Sequence, residues 1–375
     1  MRPRTGERGF ALAVSIFALV IIAALITGVF FAARQEMKIG ENSVTAQRAF
    51  NAADAGINDA IANWKINAWN SLANNASASF SGALPGGTGT WTGTIKRLNP
   101  QIFFVQVTGT DKNNLSTRTL GALSRLLFMQ ISVRGAVTTQ NQLRIGGSSY
   151  INGVDTNPGG WACPAVNDTM PGIATADSTE ISQSGCTNYS CVSGKPKISQ
   201  DTTINDSTFL KFGDLGWNDL VSMATKVYAG SYGPASDFGP VGTATSCTTT
   251  VMDNWGDPKS PPSVAGCTGY FPIIYINGNF KATGGYGQGI LIINGDLNVQ
   301  GGFEFYGPVL VKGTLTTQGT GGHFNGGVMA SNLYDSTNAI LGNAMVTYSS
   351  CALFKALQAN SPGRWIRQRS WVDLF

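Results

Sequence analysis

A single histidine, His323, stands in Gly321-Gly322-His323-Phe324-Asn325. A nucleophile and its base must be within hydrogen-bond reach, with a third group orienting the base, and nothing near His323 in sequence supplies that set. A repeat turn is the simpler place for it. Asp296 and Glu304 are the main acids of the repetitive region in which His323 lies. Glycoside-cleaving chemistry needs a close pair of carboxyl groups, and acids this sparse read as solvated surface. Asp201, Asn205 and Asp206, like Asp253, Asn254 and Asp257, offer oxygen donors, but without the spacing of a calcium-binding EF-hand loop. Gly284-Gly285-Tyr286-Gly287 is followed by no Gly-Lys-Ser/Thr, so it does not match a phosphate cradle. The chain therefore reads as non-enzymatic, with no catalytic residue, no metal site and no cofactor.

Cysteine is the remaining chemistry. Cys163, Cys186, Cys191, Cys247, Cys267 and Cys351 all follow the apolar N-terminal stretch. A tetrahedral metal site would have to be almost entirely thiolate, because only one imidazole is available. An even number in an exported region favours disulfides instead. Six cysteines allow about fifteen complete pairings. Proximity suggests Cys186 with Cys191 and Cys247 with Cys267 as local loops, leaving Cys163 and Cys351 for a long-range bridge.

The elements that position these residues begin with residues 10–33, which contain no charge and are long enough to cross a bilayer as a helix. Arg2, Arg4 and Arg8, opposed only by Glu7, keep the N-terminus cytoplasmic, so everything after Arg34 is exported. A cleaved secretory signal would have a shorter apolar core, of roughly 7–15 residues, although Ala32 and Ala33 offer it a small-residue end. Helical spacing continues through Met37, Val44, Phe50, Ala53, Ile57, Ile61, Trp64 and Ala68. One helix over 10–69 would be about 90 Å long, weakened locally by Gly40 and Gly56. Charged residues make up only 12% of the chain and the net charge is +4, with no basic run interleaved with aromatics, which argues against nucleic acid as a partner.

Beyond the helix, the Ser-, Ala-, Asn- and Gly-rich residues 71–90 read as loop. Runs at 91–98, 101–109 and 116–127, separated by turn residues, predict a small antiparallel meander. From residue 271 the pattern repeats: Ile276-Asn277-Gly278-Asn279-Phe280, Ile293-Asn294-Gly295-Asp296-Leu297, Val311-Lys312-Gly313-Thr314-Leu315 and Met329-Ala330-Ser331-Asn332-Leu333 align. Units this small are stable only when stacked, so 271–348 predicts a parallel β-helix. Leu143-Arg144-Ile145-Gly146-Gly147 and Tyr150-Ile151-Asn152-Gly153 resemble the same units. The solenoid is accordingly expected to start near Phe128, break for an insertion and resume. Within the insertion 214–228 has helical spacing behind an Asp214 cap, and 351–358 reads as a helix capping the solenoid.

Gly6-Glu7-Arg8-Gly9-Phe10, followed by the apolar helix, resembles the class III signal of type IV pilins and pseudopilins. Gln47-Arg48-Ala49-Phe50-Asn51-Ala52-Ala53-Asp54-Ala55-Gly56 is similar to the corresponding segment of minor pilins with a PilX-like N-terminal domain. The likeness covers the first 70 residues or so. It implies that a prepilin peptidase cuts between Gly9 and Phe10 and that Phe10 is N-methylated. It also implies other pilins as partners of the helix. Where most pilins carry a glutamate that pairs with a neighbour's amino terminus, this chain has Val14. A subunit with nothing above it has no use for a carboxylate buried in lipid, so Val14 points to a tip or initiating position.

The resulting expectation is an α+β chain: leader 1–9, pilin-type helix 10–70 with 10–33 transmembrane, and antiparallel meander 71–127. A solenoid start at 128–154, a disulfide-bearing insertion at 155–270, the β-helix at 271–348 and a cap at 349–375 follow. The expected role is a minor pilin-like subunit that initiates, caps or decorates a type IV pilus or secretion pseudopilus. It would be anchored in the inner membrane by one pass and exported to the periplasm or a cell-surface filament. The alternative is a membrane-anchored β-helix adhesin outside any filament. In that case aromatic loop residues such as Trp161, Tyr189 and Trp255 would meet a surface glycan or host surface.

Overall fold

The long N-terminal helix carries no charge from Gly9 to Ala33, and small residues line one stripe of its second half. α1 spans Arg8–Ala62, 55 residues, or about 83 Å at the helical rise. The computed structural model describes residues 8–126, 129–163, 169–331, 337–366 and 371–374. Most of the leader, Phe128 and Leu333 lie outside them. Phe10, Phe17, Phe30, Met37 and Val44 are exposed, whereas Ala49, Ala52, Ala53, Ile57 and Ala60 are buried. The buried set recurs every three or four residues, as a helix laid on a sheet requires.

That sheet is an antiparallel meander of β1 (Ser77–Ala83), β2 (Gly89–Arg97), β3 (Ile102–Asp111) and β4 (Thr117–Leu126). β2 alternates strictly, sending Trp91 and Ile95 inward. β1 corrects the loop expected over 71–90: its Ser- and Gly-rich sequence hides a strand in continuous register with β2, from Ser77↔Lys96 to Ala83↔Thr90. The C-terminus also departs from expectation. Trp371–Leu374 runs antiparallel to β4, and Ser124 Oγ donates to the Arg364 carbonyl at 3.0 Å. Residues 364–366 and 371–374 thus belong with 8–64 and 72–125 in the first compact unit rather than with a solenoid cap. The second unit, 65–71 and 126–363, is inserted between β4 and the returning strands.

The second unit is a parallel β-helix. Ile276 stacks on Ile293, Ile293 on Val311, and Val311 on Ala330. The fourth repeat is therefore one residue out from the sequence alignment, which set Met329 against Val311. Chain order and coil order also differ. From one end, the coils present Lys226–Tyr228, Ile273–Ile276, Ile290–Ile293, then the final residues of Phe303–Val311 and of Gly322–Ala330. Beyond these lie Val137–Thr139, Ile173–Thr175 and Ile198–Gln200. The last coil made by the chain thus rests on the first.

This stacking narrows the insertion expected over 155–270. Its strands at Ile173–Thr175, Ile181–Ser184, Val192–Ser193 and Ile198–Gln200 form coils at one end, and those at Lys226–Tyr228 and Tyr232–Ala235 begin the other. Residues 201–225 carry the chain between the two. The helix expected over 214–228 is confined to Trp217–Ser222, and the following residues turn into strand. The cap helix is Ser350–Asn360, with Ser349 Oγ accepting from the Ala352 amide at its N-cap.

Inside the coils, Ile274, Ile276, Leu291 and Ile293 meet Phe280, Phe303, Phe305 and Phe324 in one core. On the outside of the same strands Ile273, Tyr275, Ile290, Ile292, Leu310 and Met329 are also buried. They are covered by Phe209, Phe212, Trp217 and Leu220 of the connector and by Leu353 and Ala356 of the cap helix. A strand buried on both faces reads as a continuous apolar run, which is what Ile273-Ile274-Tyr275-Ile276 and Ile290-Leu291-Ile292-Ile293 are. At one corner Gly289, Gly307 and Gly326 stack with positive φ, and a Cβ on Gly307 would lie 2.0 Å from the Gly289 carbonyl oxygen.

Candidate functional site

The apolar half of α1 is exposed along its length. The stretch from Leu12 contains a span with mean hydropathy 2.8, none of it buried. Two of its polar side chains are paired within the helix, Ser15 Oγ donating to the Leu12 carbonyl at 2.9 Å and Thr27 Oγ1 to that of Ala23 at 2.7 Å. Such internal pairing is what lipid demands of a polar group. Phe10 begins the exposed series at 76% and Val14 is 51% exposed. Between Arg8 and Arg34 there is no carboxylate at any position. Gly9 lies within α1.

The segment 47–56 has a packing reason for its small residues. A Cβ on Gly109 of β3 would lie 2.2 Å from the Ala49 carbonyl oxygen and 2.2 Å from the Ala53 nitrogen, so helix backbone rests on strand backbone. Gly56 faces Trp91 as closely. On the opposite face Gln47 Nε2 donates to Asn51 Oδ1 and Asn58 Nδ2 to Asp54, leaving that side polar.

The cysteines form Cys163–Cys351, Cys186–Cys191 and Cys247–Cys267 bridges. The first joins the irregular segment after Trp161 to the start of the cap helix. The second closes a short loop whose Tyr189 packs against the solenoid core. The third holds the loop that carries Phe238 and Trp255 over the other end, where Phe238 stacks on Trp255 at 4.1 Å between ring centroids.

The residues considered for chemistry are dispersed among structural tasks. His323 is on the strand Gly322–Ala330 rather than at a turn, in register with Glu304 and Met345. Glu304 pairs with Lys259 at 2.7 Å and accepts from the Tyr306 hydroxyl at 3.3 Å. Burial, then the Glu304 charge, push the Tyr306 phenol up to about 12. Asp296 Oδ1 accepts from the Thr314 amide at 2.8 Å, and Asn279 Oδ1 from that of Asp296 at 2.9 Å, a polar ladder along one row of turns. Asp201 accepts from the Thr203 hydroxyl and amide and pairs with Arg134, and these contacts, the Thr203 hydroxyl first, hold its carboxyl below the usual range. Asn205 caps a short helix.

Asp253 accepts from Tyr228 at 2.7 Å and from Tyr232 at 2.9 Å, and Asp257 accepts from the Lys259 and Val264 amides. Burial and then the bond to Asp253 raise both phenols, Tyr232 to about 12. Among the described residues no group of three or more His, Cys, Asp or Glu side chains could hold a metal ion. Of the aromatics considered for glycan contact, Trp255 is fully buried and Tyr189 donates its hydroxyl inward to the Ile181 carbonyl at 2.9 Å. Trp161, half-buried like Tyr189, stands beside Lys355, whose nitrogen lies 5.2 Å from its ring centroid. These two residues are 194 positions apart in number, and the pairing of Cys163 with Cys351 is the sequence signal that brings them near.

No protein-family model matches the chain, and no characterised protein matches it in sequence. Among solved structures the chain is similar to the crystal structure of the competence-associated pilin ComZ from Thermus thermophilus, at 11% identity and a TM-score of 0.23, over 88% of this chain and 97% of that one. At that score the likeness carries no argument about fold or role.

Proposed function

We propose that this chain is a non-enzymatic, membrane-anchored subunit of a type IV filament, either a pilus or a secretion pseudopilus. The observation that carries the reading is α1 itself. One helix of 55 residues joins an exposed apolar half, suited to lipid and to neighbouring helices, to a half seated on its own meander through Ala49, Ala52, Ala53 and Gly56. The basic leader ending in Gly9-Phe10 and the segment 47–56 add the resemblance to minor pilins. Prepilin peptidase would remove residues 1–9 and methylate Phe10, with the N-terminus on the cytoplasmic side of the inner membrane. Val14 supplies no carboxylate to a neighbour's amino terminus, which suits a tip or initiating subunit. The inserted solenoid adds bulk that a closely packed shaft would have to accommodate at every repeat.

Intact-mass measurement of protein extracted from membranes tests the processing. A chain beginning at methylated Phe10 is expected, and retention of Met1 or cleavage near Ala33 would remove the pilin reading. Gold-labelled antibody against residues 236–270 then tests position. Labelling at filament ends is expected, uniform labelling along the shaft would end the tip assignment, and labelled cells with unlabelled filaments would leave a membrane-anchored solenoid outside the filament.

A further inference from the structure

Beside the cap helix the second unit carries a surface that its packing does not explain. Trp161 is fixed from three sides: Nε1 donates to the Pro258 carbonyl at 3.1 Å, and the ring meets Phe271 at 5.6 Å and Tyr306 at 5.8 Å between centroids. Lys355 stands over that ring, and among the described residues no carboxylate pairs with it. Lys259, over Tyr286 at 4.9 Å, differs in being neutralised by Glu304. Next to Lys355 is a groove of about 240 Å³ lined by Ile66, Ser71, Phe271, Lys355 and Gln358, all of the second unit.

We propose that this surface binds a carboxylated saccharide, with one acidic sugar ring seated in the groove and its carboxylate on Lys355. Pockets for whole drug-sized ligands enclose roughly 300–1,000 Å³, so this one is sized for a single pendant group. Its lining is divided: Ile66 and Phe271 offer apolar contact to the C–H face of a pyranose, and Gln358 places a polar group at the hydroxyl rim. An acidic peptide side chain has no ring face to fill the apolar part. An ammonium without a carboxylate partner keeps its charge for the guest, in a partly desolvated place where it is worth more than in water.

The Cys163–Cys351 bridge has a place in this site. Cys163 is two residues beyond Trp161, and Cys351 lies about one helical turn before Lys355. The bridge therefore ties together the two elements that present the aromatic and the cation, and preorganisation of this kind lowers the cost of binding. The inference is independent of filament assembly.

Biolayer interferometry on the full-length chain in neutral detergent tests it, with polygalacturonate, hyaluronate and polysialic acid as acidic saccharides, dextran as a neutral one and poly-glutamate as an acidic peptide. At least one acidic saccharide should bind and dextran should not. Lys355→Gln should weaken binding about tenfold or more, Lys355→Arg should retain most of it, and Lys281→Gln, elsewhere on the solenoid, should leave it unchanged. Circular dichroism confirms that each variant is folded. Absence of binding to all three acidic saccharides overturns the proposal, as does an affinity indifferent to Lys355→Gln. Equal, Lys355-dependent binding of poly-glutamate would replace the saccharide with an acidic peptide.

Discussion

Gly56 of α1 lies against Trp91 of β2 so closely that a Cβ added to it would stand 2.4 Å from Trp91 Cδ1 and 2.7 Å from Val107 Cγ1. Gly109 meets helix backbone instead, at 2.2 Å from Ala49 and Ala53 atoms, and backbone cannot swing away as a side-chain tip can. Gly109→Ala is therefore expected to destabilise the first unit by about 1–3 kcal/mol, and Gly56→Val by a similar amount. Gly40→Ala, where nothing lies within 4 Å, should be neutral or stabilising by up to about 1 kcal/mol through helix propensity. Thermal unfolding of the three variants in detergent checks the order. A harmless Gly109→Ala would mean that the helix does not seat on the sheet in this way.

Asp111 closes the β3–β4 turn, accepting from the amides of Asn113 at 3.1 Å, Leu115 at 2.6 Å and Ser116 at 2.7 Å. Burial pushes its carboxyl up, but these three amides and the Arg48 charge prevail and hold it below the usual value. A depressed folded-state value stabilises above the ordinary carboxylate range, and the contribution fades as pH falls through the folded value. Asp111→Asn should lower the melting temperature at pH 7, and the gap from wild type should close towards pH 2. A gap of constant size across that range would show that the charge has no part in it.

The bridges differ in the length of chain they close, 188 residues for Cys163–Cys351, 20 for Cys247–Cys267 and 5 for Cys186–Cys191. On the chain-entropy account, removing the first should cost about 5 kcal/mol and the last about 2 kcal/mol. Paired Cys→Ala variants measured by chemical denaturation test that ranking, after non-reducing peptide mapping of the native protein has verified the pairs. Equal effects would mean that local packing, not loop closure, sets their contribution.

How legible the fold was depended on whether an element announced itself locally. The apolar run of α1 and the alternation of β2 to β4 are self-sufficient signals, and the bilayer-length span needs no tertiary context. β1 was missed because Ser, Ala and Gly carry little strand preference, and it is held by the register with β2 rather than by its own residues. The coils at Ile173–Gln200 and Lys226–Ala235 have strands of two to four residues, too short to set a period. The slip in the fourth repeat arose from one extra residue between Thr317 and Gly322: Val299 stacks on Thr317, 18 positions on, but Phe303 stacks on Gly322, 19 positions on. In the proposed binding surface Trp161 was readable as an aromatic loop residue, whereas Lys355 was reachable only through the Cys163–Cys351 pairing, which brings a late helix beside it.

The double burial of the solenoid strands leads to the last prediction. Ile293 faces the interior of the coil with Leu291, while its neighbour Ile292 faces outward, and an isolated solenoid would leave the second in water. Here both are fully buried, Ile292 in the cluster that includes Leu220 and Ala356. Truncating a buried isoleucine to alanine costs about 2–5 kcal/mol, from lost transfer energy and the cavity left behind. Ile292→Ala and Ile293→Ala should therefore destabilise the second unit by comparable amounts. Thr316→Ala, on an adjoining strand of the next coil, should cost well under 1 kcal/mol, as half-exposed substitutions usually do. Chemical denaturation followed by tryptophan fluorescence gives the comparison, since Trp217 and Trp255 report on the outer cover and the inner core respectively. A near-neutral Ile292→Ala beside a costly Ile293→Ala would show that residues 201–225 do not lie closed over the strands.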